Sequence, residues 1–150
     1  MRDYYLSIGS NIRPNEHIPA CMARLRQIFP PIRFSAVYET NPVGPAGSGK
    51  FWNLAAALSI RNTEDSVRKI LRQIEKDLGR IRSQENRFLP RTIDIDVLPQ
   101  PGYQQQAFIM IPLAEIAPEV VDPETGQTFI ALAEKIRKDS YGFEKMQVFL

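Results

Sequence analysis

The hydrophobic pattern of the first eighty residues changes period several times. Tyr4-Tyr5-Leu6-Ser7-Ile8 is a short β-rich run closed by Gly9-Ser10-Asn11, and it predicts a strand. From Asn15 to Phe29 the apolar residues fall at Ile18, Cys21, Met22, Leu25 and Ile28, one face of a helix, which Pro30-Pro31 ends. Ile32 to Glu39 alternates and predicts a second strand; a Gly/Pro loop over 41–50 and a third strand, Trp52 to Ile60, come next. Thr63 is a good N-cap for a helix whose stripe is Val67, Ile70, Leu71, Ile74 and Leu78, with Gly79 as its stop. Thr92 to Leu98 alternates with period two. Pro99 to Gln106 reads as a polar turn, Ala107 to Ile111 as a short strand, Pro112 to Pro118 as a helical turn and Phe129 to Lys138 as a helix. The order β-α-β-β-α-β with C-terminal additions predicts a ferredoxin-like α+β sandwich, an antiparallel sheet with helices packed on it.

Bulk composition narrows the class without naming a chemistry. A chain of 150 residues is expected to form one domain over 1–150. Nineteen Lys and Arg against seventeen Asp and Glu leave a net charge of +2, so no global field calls for nucleic acid or a membrane as partner. The single Cys21 cannot form an internal disulfide, and the first residues lack the apolar centre of a signal peptide. A cytoplasmic protein is the expectation. The lone His17 excludes a multi-histidine metal site.

Gly44-x-x-x-x-Gly49-Lys50 has the spacing of a phosphate-binding P-loop. The residue after the lysine is Phe51, where a P-loop needs the hydroxyl of Ser or Thr to hold magnesium. Phe51 to Ile60 reads at least as well as a strand as a helix, so no helix N-terminus is offered to a phosphate. This stretch is read as a glycine-containing loop.

The informative stretch is Arg87-Phe88-Leu89-Pro90-Arg91-Thr92-Ile93-Asp94-Ile95-Asp96. On a strand, Asp94 and Asp96 point to one face and Ile93, Ile95 and Val97 to the other. Two neighbouring carboxylates repel each other, and a hard, oxygen-seeking magnesium ion is the natural compensation. The alternative is a solvated strand face balanced by nearby arginines. Arg80, Arg82, Arg87 and Arg91 precede the strand in a basic, aperiodic segment. Guanidinium groups suit polyphosphate, and metal with arginines is what phosphoryl transfer uses. The aperiodic segment is expected to close as a lid. Phe51, Asn53 and Phe108 combine aromatic faces with an amide able to pair with a heterocycle edge, although aromatic residues are more often simply core. A ferredoxin-like RNA-binding module would need an RNP1 aromatic pattern, which is absent.

With these blocks in place, the sequence resembles the 6-hydroxymethyl-7,8-dihydropterin pyrophosphokinase family. The resemblance runs over about residues 4 to 120: Ile8 to Asn11, Tyr38 to Pro45, Phe51 to Ala56, Ile74-Glu75 through Leu78-Gly79-Arg80, Arg87 to Asp96, and Phe108 to Pro118. It implies an ATP-dependent pyrophosphokinase of folate biosynthesis that moves pyrophosphate to the pterin's hydroxymethyl group and releases AMP. By resemblance, Asp94 and Asp96 bind magnesium, with two ions expected. Arg80, Arg82 and Arg91 are the catalytic arginines of a mobile loop. Thr40, Val43, Phe51, Asn53 and Phe108 form the pterin pocket, the ring lying between Phe51 and Phe108. Glu75, Arg82, Phe88 and Arg91 serve ATP, Phe88 standing where a Trp is common. The partners implied are ATP and a pterin, with no nucleic acid and no membrane, and the chain is expected to be a monomer or weak homodimer.

The chain departs from the family after Asp96. A longer segment with a His-Pro element and an ATP-binding Arg is replaced by Val97 to Gln106, with Gln106 roughly where the Arg would be. Arg72 also takes the place of a frequent Gln. These departures leave open a paralogue of the same fold that binds a pterin, or pyrophosphorylates another acceptor, through an altered nucleotide site.

Overall fold

The structure, a computed structural model, describes residues 1–40, 51–79 and 92–137 and the strand Glu144–Met146; for Thr40 and Glu144–Met146 it describes the backbone. Its elements in chain order are β1 (Arg2–Ser10), α1 (Pro14–Ile28), β2 (Arg33–Phe34), β3 (Val37–Thr40), β4 (Phe51–Ile60), α2 (Glu64–Asp77), β5 (Asp94–Leu98), a 3₁₀ turn (Tyr103–Gln105), α3 (Ala107–Ile116), α4 (Phe129–Arg137) and β6 (Glu144–Met146).

The sheet runs β5-β1-β4-β3-β6, with β2 also paired to β4, and the described pairings are antiparallel. With β2 and β3 taken as halves of one strand, β5-β1-β4-β3 is the expected ferredoxin-like order. The predicted continuous strand over 32–39 is broken at Ser35-Ala36. There the Ser35 N–H donates to Ala55 O, while the Ser35 hydroxyl accepts from the Ala55 N–H, both at 2.9 Å. A side-chain oxygen replaces one backbone acceptor, so the ladder is interrupted without orphaning a buried donor.

Alternation on the strands gives the sheet two buried faces. Leu6, Ile8, Leu54, Ala56, Ile95 and Val97 join Ile18, Leu25, Val67, Leu71 and Ile74 beneath α1 and α2. α2 begins as its sequence predicts: the Ser66 N–H donates to Thr63 Oγ1, and Gly79, at φ 89°, closes the helix by donating to Lys76 O. On the second face, Tyr38, Ala55 and Leu98 pack against α3 and α4 through Ile109, Met110, Leu113, Phe129 and Leu132.

The short strand and separate helical turn expected over 107–118 are one helix, α3. Ile109 to Ala114 are all buried, including Pro112, because α3 meets both the sheet and α4. A helix apolar on all sides carries no 3.6-residue stripe to read. The predicted polar turn before it contains the 3₁₀ turn, held by a buried network. The Asp122 carboxylate accepts from the Tyr103 hydroxyl (2.5 Å), the Thr125 N–H (2.8 Å) and the Thr125 hydroxyl (2.7 Å). Burial alone would raise the Asp122 carboxyl; these bonds outweigh it and hold it below the usual value. Asp122→Ala is therefore expected to destabilise the protein by about 3 kcal/mol, because buried donors lose a charged acceptor. In the parent protein, the Asp122 contribution is complete above the ordinary value of 3.8 and is lost as pH falls through the lower folded-state value. Thermal melts of both proteins from pH 7 down to pH 3 check this: the gap should narrow only at the acid end.

Candidate functional site

On the second face Asp94, Asp96, Phe51 and Phe108 stay partly exposed, and strand register brings the predicted residues together there, beyond the start of α3. Register pairs Asp94 with Gly9, Gly9 with Asn53 and Asn53 with Tyr38, one row across β5, β1, β4 and β3. The adjoining rows are Asp96-Ser7-Ala55 and Thr40-Phe51. Side chains two apart on a strand share a face, so Asp94, Asp96, Asn53 and Phe51 lie on the side opposite α1 and α2. Two strand spacings separate Asp94 from Asn53, about 10 Å. Phe108 enters the same face from the first turn of α3 and is partly buried.

Gly9 makes the row possible. A Cβ at Gly9 would meet Asn53 Oδ1 at 2.8 Å. Asn53, only 4% exposed, thus lays its amide across a position that tolerates no side chain. A glycine inside a strand signals such an approach, but only the register reveals which group approaches.

Asp94 and Asp96 are both half-buried, and each has an interaction partner. No cluster of three or more His, Cys, Asp and Glu suited to a metal occurs among the described residues. Two carboxylates on one face still fit magnesium, which commonly takes one or two protein carboxylates and fills its octahedron with water and phosphate oxygens. Glu75 lies behind β5, on α2. It is 2% exposed, and its Oε2 accepts the Ile95 N–H at 2.8 Å. That bond satisfies an edge donor of β5 and fixes the backbone between the two aspartates.

Gly79 and Thr92, which flank the basic segment in sequence, come together beside this strand. A Cβ on Gly79 would lie 3.9 Å from Thr92 Cγ2, so the residues flanking 80–91 are neighbours at the entry to β5. Arg80, Arg82, Phe88 and Arg91, Val43, and the lid expected of 80–91 fall outside the described residues. Of Thr40 only the backbone is described, paired with Phe51. In the shortened segment, Gln104 is turned inward: its Nε2 donates to Glu124 at 2.8 Å and lies 3.4 Å from Asp122. It is committed to the 3₁₀ turn rather than to the open face.

Sequence reasoning used Gly9 only as the stop of the first strand, whereas β1 runs on through Ser10, and it gave Tyr38 and Glu115 no role. Tyr38, buried beside Asn53, donates to Glu115 on α3, a pairing between residues 77 apart that no local pattern discloses. Desolvation, the bond to Glu115 and its charge push the Tyr38 hydroxyl well above its ordinary value, so it stays a donor.

Comparison with known proteins converges on one family. The sequence model of 7,8-dihydro-6-hydroxymethylpterin-pyrophosphokinase matches residues 5–118. Among curated relatives, a 2-amino-4-hydroxy-6-hydroxymethyldihydropteridine pyrophosphokinase of Methylorubrum extorquens is 34% identical, the match covering 95% of this chain and 98% of the relative. Proteins of the same name from Bacillus subtilis and Pseudomonas aeruginosa are 32% and 33% identical. Those matches cover 77% and 80% of this chain and 78% and 83% of the relatives.

Proposed function

The chain belongs to the 7,8-dihydro-6-hydroxymethylpterin-pyrophosphokinase family, and we propose that its open sheet face is where the two substrates of that reaction meet. The enzyme transfers pyrophosphate from ATP to 6-hydroxymethyl-7,8-dihydropterin. The hydroxymethyl oxygen gives up its proton and bonds to the β-phosphorus, the bond from the β-phosphorus to the bridging oxygen breaks, and AMP leaves with that oxygen.

The observation that carries the assignment is the row Asp94-Gly9-Asn53. It offers carboxylates at one end and an amide at the other, about 10 Å apart, roughly the span between a polyphosphate and the far edge of a bicyclic ring. Asn53 pairs with the polar edge of the pterin, since an amide presents both donor and acceptor to a heterocycle. Phe51 and Phe108, with Thr40 and Val43, enclose its faces. Asp94 and Asp96 would hold magnesium, which, when bound, offsets the charge of the phosphate oxygens. Glu75 acts on the nucleotide side by fixing the β5 backbone through Ile95. Arg80, Arg82 and Arg91 grip the phosphates, and Phe88 covers the nucleotide. Catalysis then rests on positioning and electrostatics.

Arg82→Ala or Arg91→Ala is expected to lower kcat about 100- to 1000-fold, the usual scale for removing a transition-state donor, with pterin Kd nearly unchanged. Steady-state kinetics alongside pterin titration checks this, and a variant that lost only pterin affinity would contradict the phosphate role. The reaction itself is tested by the mass of the pterin product. Addition of two phosphoryl groups supports the proposal, and addition of one would overturn it.

A further inference from the structure

Helix α3 carries Phe108 at its start, and what holds its far end bears on the width of the slot between Phe108 and Phe51. Glu115 lies seven residues after Phe108, two turns along the same face of the helix. Its carboxylate accepts from the Tyr38 hydroxyl and from the Ala36 N–H, the latter at 2.6 Å. Arg33 Nη1 donates to Ile116 O at 3.0 Å. The C-terminal turn of α3 is thus tied to β2, to β3 and to the break between them. Glu115 is exposed while Tyr38 is 4% exposed, so the carboxylate contributes a directed bond rather than core volume. Tyr38 is also the register partner of Asn53. One tyrosine therefore touches the helix that carries the ring and sits beside the residue that carries the amide.

Resting on the reading of this face as the pterin site, we infer that Tyr38 and Glu115 are positioning residues for the pterin. They set the rotation and height of α3, and through it the distance from Phe108 to Phe51 and Asn53. They contact neither phosphate nor metal, so their loss loosens the ring slot and leaves the nucleotide side intact. The other end of α3 is secured separately by Tyr103 and Asp122 through the 3₁₀ turn, so losing the tie tilts the helix rather than releasing it.

The test uses the full chain and measures Kd for 6-hydroxymethyl-7,8-dihydropterin and for ATP with magnesium, each alone, together with Tm. Tyr38→Phe keeps the ring and removes only the hydroxyl. It should raise the pterin Kd about fivefold, the weight of one hydrogen bond near 1 kcal/mol, with the ATP Kd within twofold of the parent. Glu115→Ala, which also releases the Ala36 N–H, should cost at least as much. Glu115→Gln, whose amide oxygen can accept from the Ala36 N–H while its NH2 donates to the Tyr38 oxygen, should recover most of the affinity, and Tyr38→Phe/Glu115→Ala should be no worse than Glu115→Ala. Unchanged pterin binding in both single variants would overturn the inference, as would parallel losses for pterin and ATP, the mark of a purely structural bond. Parent protein that binds no pterin would overturn the site assignment itself. Parent binding with indifferent variants would overturn only the positioning role.

Discussion

Alanine at Asp94 or Asp96 is expected to reduce pterin-dependent AMP formation at least about 1000-fold, the scale seen when a preorganised charge partner of a phosphoryl group is removed. Both carboxylates point away from the core that Ile93, Ile95 and Val97 fill, so neither change creates a cavity. Melting temperature should hold within a few degrees, or rise slightly as the repulsion between the pair is relieved. Pterin affinity measured without nucleotide should change little, because Asn53 lies two strands away. An Asp94→Asn or Asp96→Asn protein separates charge from shape: it should fall nearly as far as alanine, since an amide is a much poorer magnesium ligand. AMP production at the parent rate in any of these proteins would remove the metal from the site.

Gly9→Ala is the second large effect. The new Cβ would lie 2.8 Å from Asn53 Oδ1, so the amide must swing out of its place. The backbone of β1 has no need to move, and the fold should survive with a modest loss of stability. A displaced amide leaves one edge of the bound heterocycle poorly paired, at about 1–3 kcal/mol, or roughly 5- to 150-fold in pterin Kd. Asn53→Ala should weaken binding similarly. Gly9→Ala/Asn53→Ala should add little beyond Asn53→Ala, because the glycine acts through the amide. Isothermal titration with the pterin reads all three; full affinity in Gly9→Ala would show that Asn53 does not read the ring.

What could be read from the chain divides along physical lines. α2 was legible because it buries one face, which leaves a period in the sequence, and β1, β4 and β5 because they are short β-rich runs set between turn residues. The helix α3 was not, since Ile109 to Ala114 are buried on every side and Pro112 argues locally against a helix. The break between β2 and β3 depends on Ser35 bonding Ala55, twenty residues away, and β6 is a three-residue edge strand. Within the site, the shared face of Asp94 and Asp96 comes from strand parity alone. That Asn53 joins them, with Gly9 beneath it, requires the register of three strands. The Tyr38–Glu115 tie requires knowing that α3 crosses β3.

The central claim is that this open face brings ATP and the pterin together for transfer. It is tested most directly by AMP release from ATP and magnesium, with and without 6-hydroxymethyl-7,8-dihydropterin. AMP that appears only when the pterin is present is the predicted result. It would mean that the longer segment and Arg usual in the family after Asp96 are dispensable for nucleotide use in this chain, whose Gln104 is bonded inward to Glu124. No AMP from a protein that still binds the pterin would contradict the claim, leaving a chain that recognises the acceptor without using ATP as its donor.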